Sequence, residues 1–185
     1  MAESNASHRN QSSVMSQSAR KPEFFLYTRL GQNETKNLKK AGTNRDERRV
    51  LAQIFDLKSL TNEQPYETPD KVELLRLDFH YINYNFCKEH YFSNEKTSTL
   101  IAMFDAILTR MLEKQLSPQQ GYQMLRQHLQ DHSIQRPPFS IAIFSAQEVQ
   151  LILEFALETL LRHFSLYEFA FNPRVELILR TDPVM

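Results

Sequence analysis

The sequence predicts an all-α fold: a compact bundle of about five helices, with a disordered N-terminal tail and a short extended C-terminal segment. Three observations predict it. The 185 residues include only three glycines, Gly31, Gly42 and Gly121, too few for the many tight turns of an all-β chain. From residue 45 onward apolar side chains recur at i, i+3 and i+4, the repeat of one helix face. Helix-start signals stand at Thr68-Pro69, Ser117-Pro118 and Ser145-Ala146-Gln147-Glu148, where a hydroxyl can cap orphan N–H groups and proline fits the first turn. At about 150 residues per domain, the length suits a single domain.

The elements follow in order. Residues 1–23 are rich in Ser, Asn and Gln and bury too little apolar surface to offset their ordering entropy. Phe24, Phe25, Leu26, Tyr27 and Leu30 form a short apolar cluster, either a clip onto the domain or an exposed docking motif. Residues 31–44 have loop composition. The expected division is thus a disordered tail over 1–44 with its apolar cluster at 24–30, a helical domain over 45–180 and a tail over 181–185.

Val50, Leu51, Ile54 and Phe55 mark the first helix. The second is expected from Pro69 to about His90, with an inward stripe of Val72, Leu75, Phe79, Ile82 and Phe86. Glu89 ends that stripe after about two heptads, short of the three to four a coiled coil requires. Ser93 caps a third helix over about 94–114, burying Leu100, Ile101, Phe104, Ile107, Leu108, Met111 and Leu112. Ser117 and Gln120 form a capping box for a fourth over about 118–131, with Tyr122, Leu125 and Leu129 inward.

Pro137-Pro138 halts the helical pattern and Phe139–Phe144 looks extended. Ser145 and Glu148 then open a fifth helix, expected to run unbroken from Ala146 to about Phe169. Its polar residues fall on one stripe, Gln150, Glu154, Glu158, Arg162 and Ser165, and a helix so apolar elsewhere belongs at the centre of a bundle. Asn172-Pro173 stops it, and Val175–Leu179 is expected as a short strand or an extended docking tail.

Charge and composition exclude several functions. Lys plus Arg and Asp plus Glu number 22 each, so no whole-protein basic field exists to grip nucleic acid or an anionic membrane. Three scattered glycines cannot build a phosphate loop or dinucleotide turn, and the EF-hand calcium pattern is absent. The lone Cys87 allows no intramolecular disulfide and no Cys-rich zinc site, pointing to an intracellular protein. MAESNASHRNQSS lacks the apolar core of a secretory signal, and Leu151–Leu161, with Glu154 and Glu158, is too short to span a bilayer.

No cofactor-binding or catalytic motif is present. His128 and His132, at i, i+4, could present two imidazoles to a metal, or simply suit the negative end of a helix. Cys87-x-x-His90 lacks a second half, and Cys87 reads as a small packed residue.

Two features rise above this background. Residues 36–49 place Lys36, Lys39, Lys40, Arg45, Arg48 and Arg49 against Asp46 and Glu47, a patch suited to an acidic filament surface such as tubulin or to a solvated helix start. Aromatics crowd two stretches: Phe79, Tyr81, Tyr84, Phe86, Tyr91 and Phe92, and Phe164, Tyr167, Phe169 and Phe171. One helix cannot aim all of them at one core, and aromatics left outside anchor interfaces.

Two segments carry a resemblance. Phe144-Ser145-Ala146-Gln147-Glu148, an apolar helix, and then Arg162-His163-Phe164-Ser165-Leu166-Tyr167-Glu168-Phe169-Ala170-Phe171 resemble the ending of the small central-pair apparatus subunits of cilia and flagella, the CLAMP type. The Leu74–Leu100 stretch, an aromatic helix running into Tyr91-Phe92-Ser93 and a second helix, resembles the same family. The resemblance implies a non-enzymatic subunit of a central-pair projection in the axoneme, supporting cilium or sperm motility. Its partners would be other axonemal proteins, with tubulin a further candidate, and neither nucleic acid nor membrane. The alternative is a calcium-responsive or microtubule-associated adaptor that uses residues 36–49. The residues expected at a partner contact are Phe164, Tyr167, Phe169, Phe171, Tyr81, Tyr84, Lys39, Lys40, Arg45, Arg48 and Arg49.

Overall fold

A computed structural model describes residues 23–61, 70–136 and 141–172. Residues 1–22, Thr68-Pro69, Pro137-Pro138, Phe139 and Val175–Leu179, for which the sequence carries expectations, lie outside that set. The described residues form α1 (Gln32–Lys40), α2 (Asn44–Ile54), α3 (Lys58–Thr61), α4 (Lys71–Glu89), α5 (Asn94–Lys114), α6 (Pro118–Asp131), α7 (Ala146–Ala156), a π-helical turn (Leu157–Leu161) and α8 (Phe164–Phe171), with no strand among them. The all-α class holds. The count of about five does not: the described residues form eight α-helices.

The additional helices have physical causes. α1 reads QNETKNLKK, with Leu38 its single apolar residue, so periodicity cannot flag it. Packing makes the helix: Leu38 and Thr35 are fully enclosed, and tertiary burial supplies what nine residues cannot supply alone. Residues 31–44, expected as loop, therefore hold a helix and a turn. α3 is a single turn, below the reach of any periodic signal.

The expected fifth helix breaks as well. The Thr159 hydroxyl donates to the Phe155 carbonyl (2.7 Å), and the Arg162 N–H reaches back five residues to Leu157 (3.1 Å). This inserts one residue into the ladder, a π-bulge. The bulge lets Leu160 and Leu161 both face inward, and Arg162-His163 then turns the chain into α8.

α5, rather than the fifth expected helix, lies at the centre, buried from Thr97 through Asp105 without a gap and again at Ile107, Leu108 and Met111. It separates two cores. The larger gathers Phe79 and Phe86 of α4 with Leu100, Phe104, Ile107 and Met111, and with Leu125, Leu129, Ile152, Ala156, Leu160 and Phe164. The smaller joins Leu30, Leu38, Leu51, Leu57, Leu77, Tyr84 and Ile101 under α1 to α3. α4 forms the wall between them, so its apolar residues divide between two faces. The expected stripe of Val72, Leu75, Phe79, Ile82 and Phe86 accordingly fails at Val72 and Ile82, which are exposed.

The cap signals at Ser93, Ser117 and Ser145 all form, the last two as reciprocal capping boxes. Gly121 sits where α6 meets α5: a Cβ there would stand 2.4 Å from Met111 Sδ and 3.2 Å from Leu161 Cδ2. The residues before α1 act as a clip. Phe25 and Leu30 are buried, the Tyr27 N–H donates to Ser98 Oγ (3.0 Å), and Ser98 Oγ donates to the Leu30 carbonyl (2.7 Å).

Candidate interaction surfaces

The basic segment folds around the α1–α2 turn. Thr43 caps α2 by accepting from the Asp46 N–H, and the turn presents its cations to α4 and to the loop before α5. The Lys39 ammonium donates to the Phe92 carbonyl (2.8 Å). Arg48 pairs with Asp78 and lies 5.0 Å from the centre of the Tyr81 ring. Glu47 is buried and holds Lys88 of α4 at 2.5 Å. Lys36, Lys40, Arg45 and Arg49 lie exposed on the outer side. Of the local positive excess, then, part braces α2 against α4 and part faces outward.

A cleft of about 520 Å³ opens beside this turn, lined among others by Lys39, Glu47, Tyr84, Cys87 and Lys88. Cys87 is fully buried, and burial pushes its thiol up to about 12, so it stays protonated and inert at neutral pH. That matches the packed role expected of it. Tyr84 is likewise a core residue: its hydroxyl donates to the Leu38 carbonyl (3.1 Å) and burial raises its pKa. Of the residues expected at a partner contact, Tyr84 is thus buried in the smaller core. Tyr81 is half-buried under Arg48.

The aromatic ending divides differently. Phe164, also expected at a partner contact, is buried in the large core. Tyr167 meets Phe79 edge to face, with centroids 5.7 Å apart, and stacks with Phe171 at 6.4 Å. Burial, and then the Asp78 carboxylate, raise the Tyr167 pKa. Phe169 points the other way and is 65% exposed, beside Leu166 at 66%. Leu157, at the start of the π turn that precedes α8, is 45% exposed. Leu157 and Leu166 are exposed apolar residues the sequence reading passed over. The available signal was their place along the polar stripe of Glu154, Glu158, Arg162 and Ser165, where an apolar residue has no core to meet.

Two buried polar clusters could suggest chemistry. Asp105 is enclosed and meets Arg76 (2.9 Å), Arg29 (3.3 Å) and His80 (3.5 Å), while Phe55 stacks flat on His80 at 3.4 Å. Desolvation, and then Arg76 and Arg29, hold the His80 pKa well below its usual range. This carboxylate joins the clip, α4 and α5, and its enclosure leaves no room for a substrate. The second cluster centres on His132. Its Nε2 accepts from the Phe25 N–H (3.3 Å) and its Nδ1 bonds the His128 carbonyl (2.8 Å), so both ring nitrogens are engaged in the fold and neither faces a metal. Burial lowers the pKa of both His128 and His132, and Arg110 lowers that of His128 further. Among the described residues no group of three or more His, Cys, Asp or Glu could hold a metal ion, and no helix is long and apolar enough to cross a membrane.

The geometry thus offers two outward surfaces, the α1–α2 turn and the outer face of α8, which differ in one further respect. The family model named CLAMP, flagellar C1a complex subunit C1a-32, matches residues 82–179. That is more than half of the chain, and it takes in α5 to α8 while leaving out α1 and α2.

Proposed function

The chain belongs to the CLAMP family of flagellar C1a complex subunits, a family of the axonemal central pair, and from that premise we propose that it is a non-enzymatic structural subunit docked through the outer face of α8. The carrying observation is the pair Leu166 and Phe169, about two-thirds exposed at the end of a helix whose other aromatics are packed. Burying two such side chains contributes about 1.5–3 kcal/mol each, enough to hold a subunit within a larger assembly. Tyr167 and Phe171, half-buried against the core, stiffen the platform from beneath. The docking unit in this reading is the whole packed body from the clip through α8. Its partners are other proteins of a central-pair projection, and its contribution is to ciliary or sperm motility.

A second reading rests on Lys36, Lys40 and Arg45, which face outward from the α1–α2 turn. These, with Lys39, Arg48 and Arg49, would meet an acidic filament such as tubulin, and a calcium-responsive adaptor would use the same turn. Co-sedimentation separates the two readings. The pure chain is pelleted with salt-stripped axonemes and with bare microtubules at rising salt. Docking through α8 predicts binding to axonemes that survives 0.5 M salt, an ionic strength at which the Debye length is only about 4 Å, and little binding to bare microtubules. Equal binding to both that disappears with salt would transfer the function to the basic turn. A calcium-dependent change in either would favour the adaptor.

A further inference from the structure

We propose that residues 23–26 form a proton-operated latch, which swings out when His132 and His128 take up protons while the rest of the clip stays seated. The clip straddles the two cores, with Phe25 buried in the larger and Leu30 in the smaller. Its two ends are held by different chemistry. At the Leu30 end the Tyr27 N–H donates to Ser98 Oγ, Ser98 donates to the Leu30 carbonyl, and Arg29 pairs with Asp105. Hydroxyl and carbonyl groups gain no proton near neutrality. At the Phe25 end the polar ties run to imidazoles or beside one.

The hydrogen bonds fix which ring nitrogens carry protons. A carbonyl only accepts, so the His132 Nδ1 that meets the His128 carbonyl (2.8 Å) is the N–H. Its Nε2 is then the bare lone pair that takes the Phe25 N–H (3.3 Å). A guanidinium only donates, so His128 Nε2, 3.4 Å from Arg110 Nη1, is bare as well. Arg110 in turn pairs with Glu23 at the head of the latch, and the Phe25 ring stands edge-on to His128 with centroids 4.9 Å apart. Both rings therefore hold the latch as neutral acceptors. A proton on His132 Nε2 makes it a donor facing the Phe25 N–H. A proton on His128 Nε2 sets a second cation against Arg110.

Three charged groups face these rings. Glu23 of the latch and Asp131 of α6 favour protonation, and Arg110 of α5 opposes it. Ile143 and Phe144, whose N–H groups reach the His132 carbonyl, bring no charge. Burial outweighs the carboxylates and holds both rings below their ordinary 6.5 while the latch is shut. A released ring returns to 6.5, so below that value the open form binds more protons and opening is favoured as pH falls. At pH 5 each histidine shifts the open-to-shut ratio by at most about thirtyfold, and the pair by about a thousandfold. Burial of one phenylalanine opposes this by roughly 10- to 150-fold, so protonation is strong enough to win. His80, enclosed with Asp105, Arg76 and Arg29, is held well below its usual range, so the Arg29 end stays seated. Tyr27, left-handed at a φ of 55°, is the joint between the two ends, in a conformation a non-glycine residue leaves readily once freed. The segment is a clip when shut and an exposed apolar stretch, Phe24 and Phe25, when open.

Amide hydrogen exchange in the full chain, read by NMR from pH 7.5 to 5 with intrinsic rates divided out, tests the latch. The Phe25 amide should lose about tenfold or more in protection between pH 7 and 5.5, while Tyr27 and Leu129 of α6 keep theirs within about twofold. The midpoint should coincide with the titration of the His132 ring signals in the same samples. H132Q supplies an amide oxygen that accepts from the Phe25 N–H and takes no proton, and H128Q/H132Q should hold Phe25 protection constant across the range. Equal losses at Phe25, Tyr27 and Leu129 would be global unfolding and overturn the proposal, as would a fall that persists in H128Q/H132Q. If that variant does not fold, the midpoints in the unaltered chain decide: a Phe25 transition displaced from the imidazole titration overturns the latch, and coincidence supports it.

Discussion

The α1–α2 turn and α8 invert the usual roles of their residues. Charges ordinarily face water, but at the α1–α2 turn Lys39 reaches a backbone carbonyl, Arg48 is clamped between Asp78 and Tyr81, and Glu47 is buried against Lys88. Aromatic and large aliphatic residues ordinarily face the core, but α8 turns Leu166 and Phe169 outward while Phe164 fills the interior. Residue type therefore does not identify an outward face. Position relative to the two cores does: α2 leans on α4 and spends part of its charge there, whereas Leu166 and Phe169 of α8 stay exposed among the described residues.

The sharpest way to break that contrast lies within α8 itself. Phe164→Ala should cost about 3–5 kcal/mol, because it empties a buried site in the large core, whereas Phe169→Ala should stay within about 0.5 kcal/mol. Denaturant unfolding measures both, and equal costs would mean that Phe169 is packed. On the α1–α2 turn, Lys88→Ala strands the buried Glu47 carboxylate and should cost about 2 kcal/mol, tempered by the partial exposure of Lys88. A loss near zero would show that the pair braces nothing.

The clip answers to pH. His128 and His132 titrate below their usual 6.5 in the folded chain, so below that pH the unfolded chain binds more protons than the folded one. Stability is then present above about pH 6.5 and lost as pH falls toward the folded values, by at most about 1.4 kcal/mol per pH unit for each histidine. Melting curves between pH 7.5 and 5 read this slope. His132→Asn should reduce the slope by one histidine's share, with His80 and His128 still contributing, and an unchanged slope would remove His132 from the account. The smallest effect belongs to the outward cations: K40E/R45E should shift stability by no more than about 0.5 kcal/mol.

Much of this was legible in the sequence, for identifiable reasons. The boundaries of α5 and α6 and the start of α7 follow from Ser93, Ser117 and Ser145, whose hydroxyl caps are local chemistry that tertiary packing only has to accept. The solvent stripe through Glu154, Glu158 and Arg162 stays exposed as its periodicity implies. What escaped is non-local. α1 depends on one leucine finding a distant core, and α4 serves two cores, so a single-stripe reading misplaces Val72 and Ile82. His80 and Asn83 are polar yet buried, which erases the apolar pattern where α4 is most enclosed. The π turn arises from Thr159 and from Leu160 and Leu161 both facing inward, which no heptad template anticipates. Aromatic density drew attention to the α8 segment but could not separate Phe164, which builds the core, from Phe169, which stays exposed.

The central claim is that α8, rather than the basic turn, attaches this subunit to the axoneme. The most direct measurement expresses the full chain, L166D/F169D and K40E/R45E in ciliated cells lacking the endogenous protein and quantifies each in detergent-extracted axonemes. The account predicts that L166D/F169D, folded and equally abundant in whole cells, is largely lost from the axoneme, while K40E/R45E is retained like the unaltered chain. Retention of L166D/F169D with loss of K40E/R45E would contradict it.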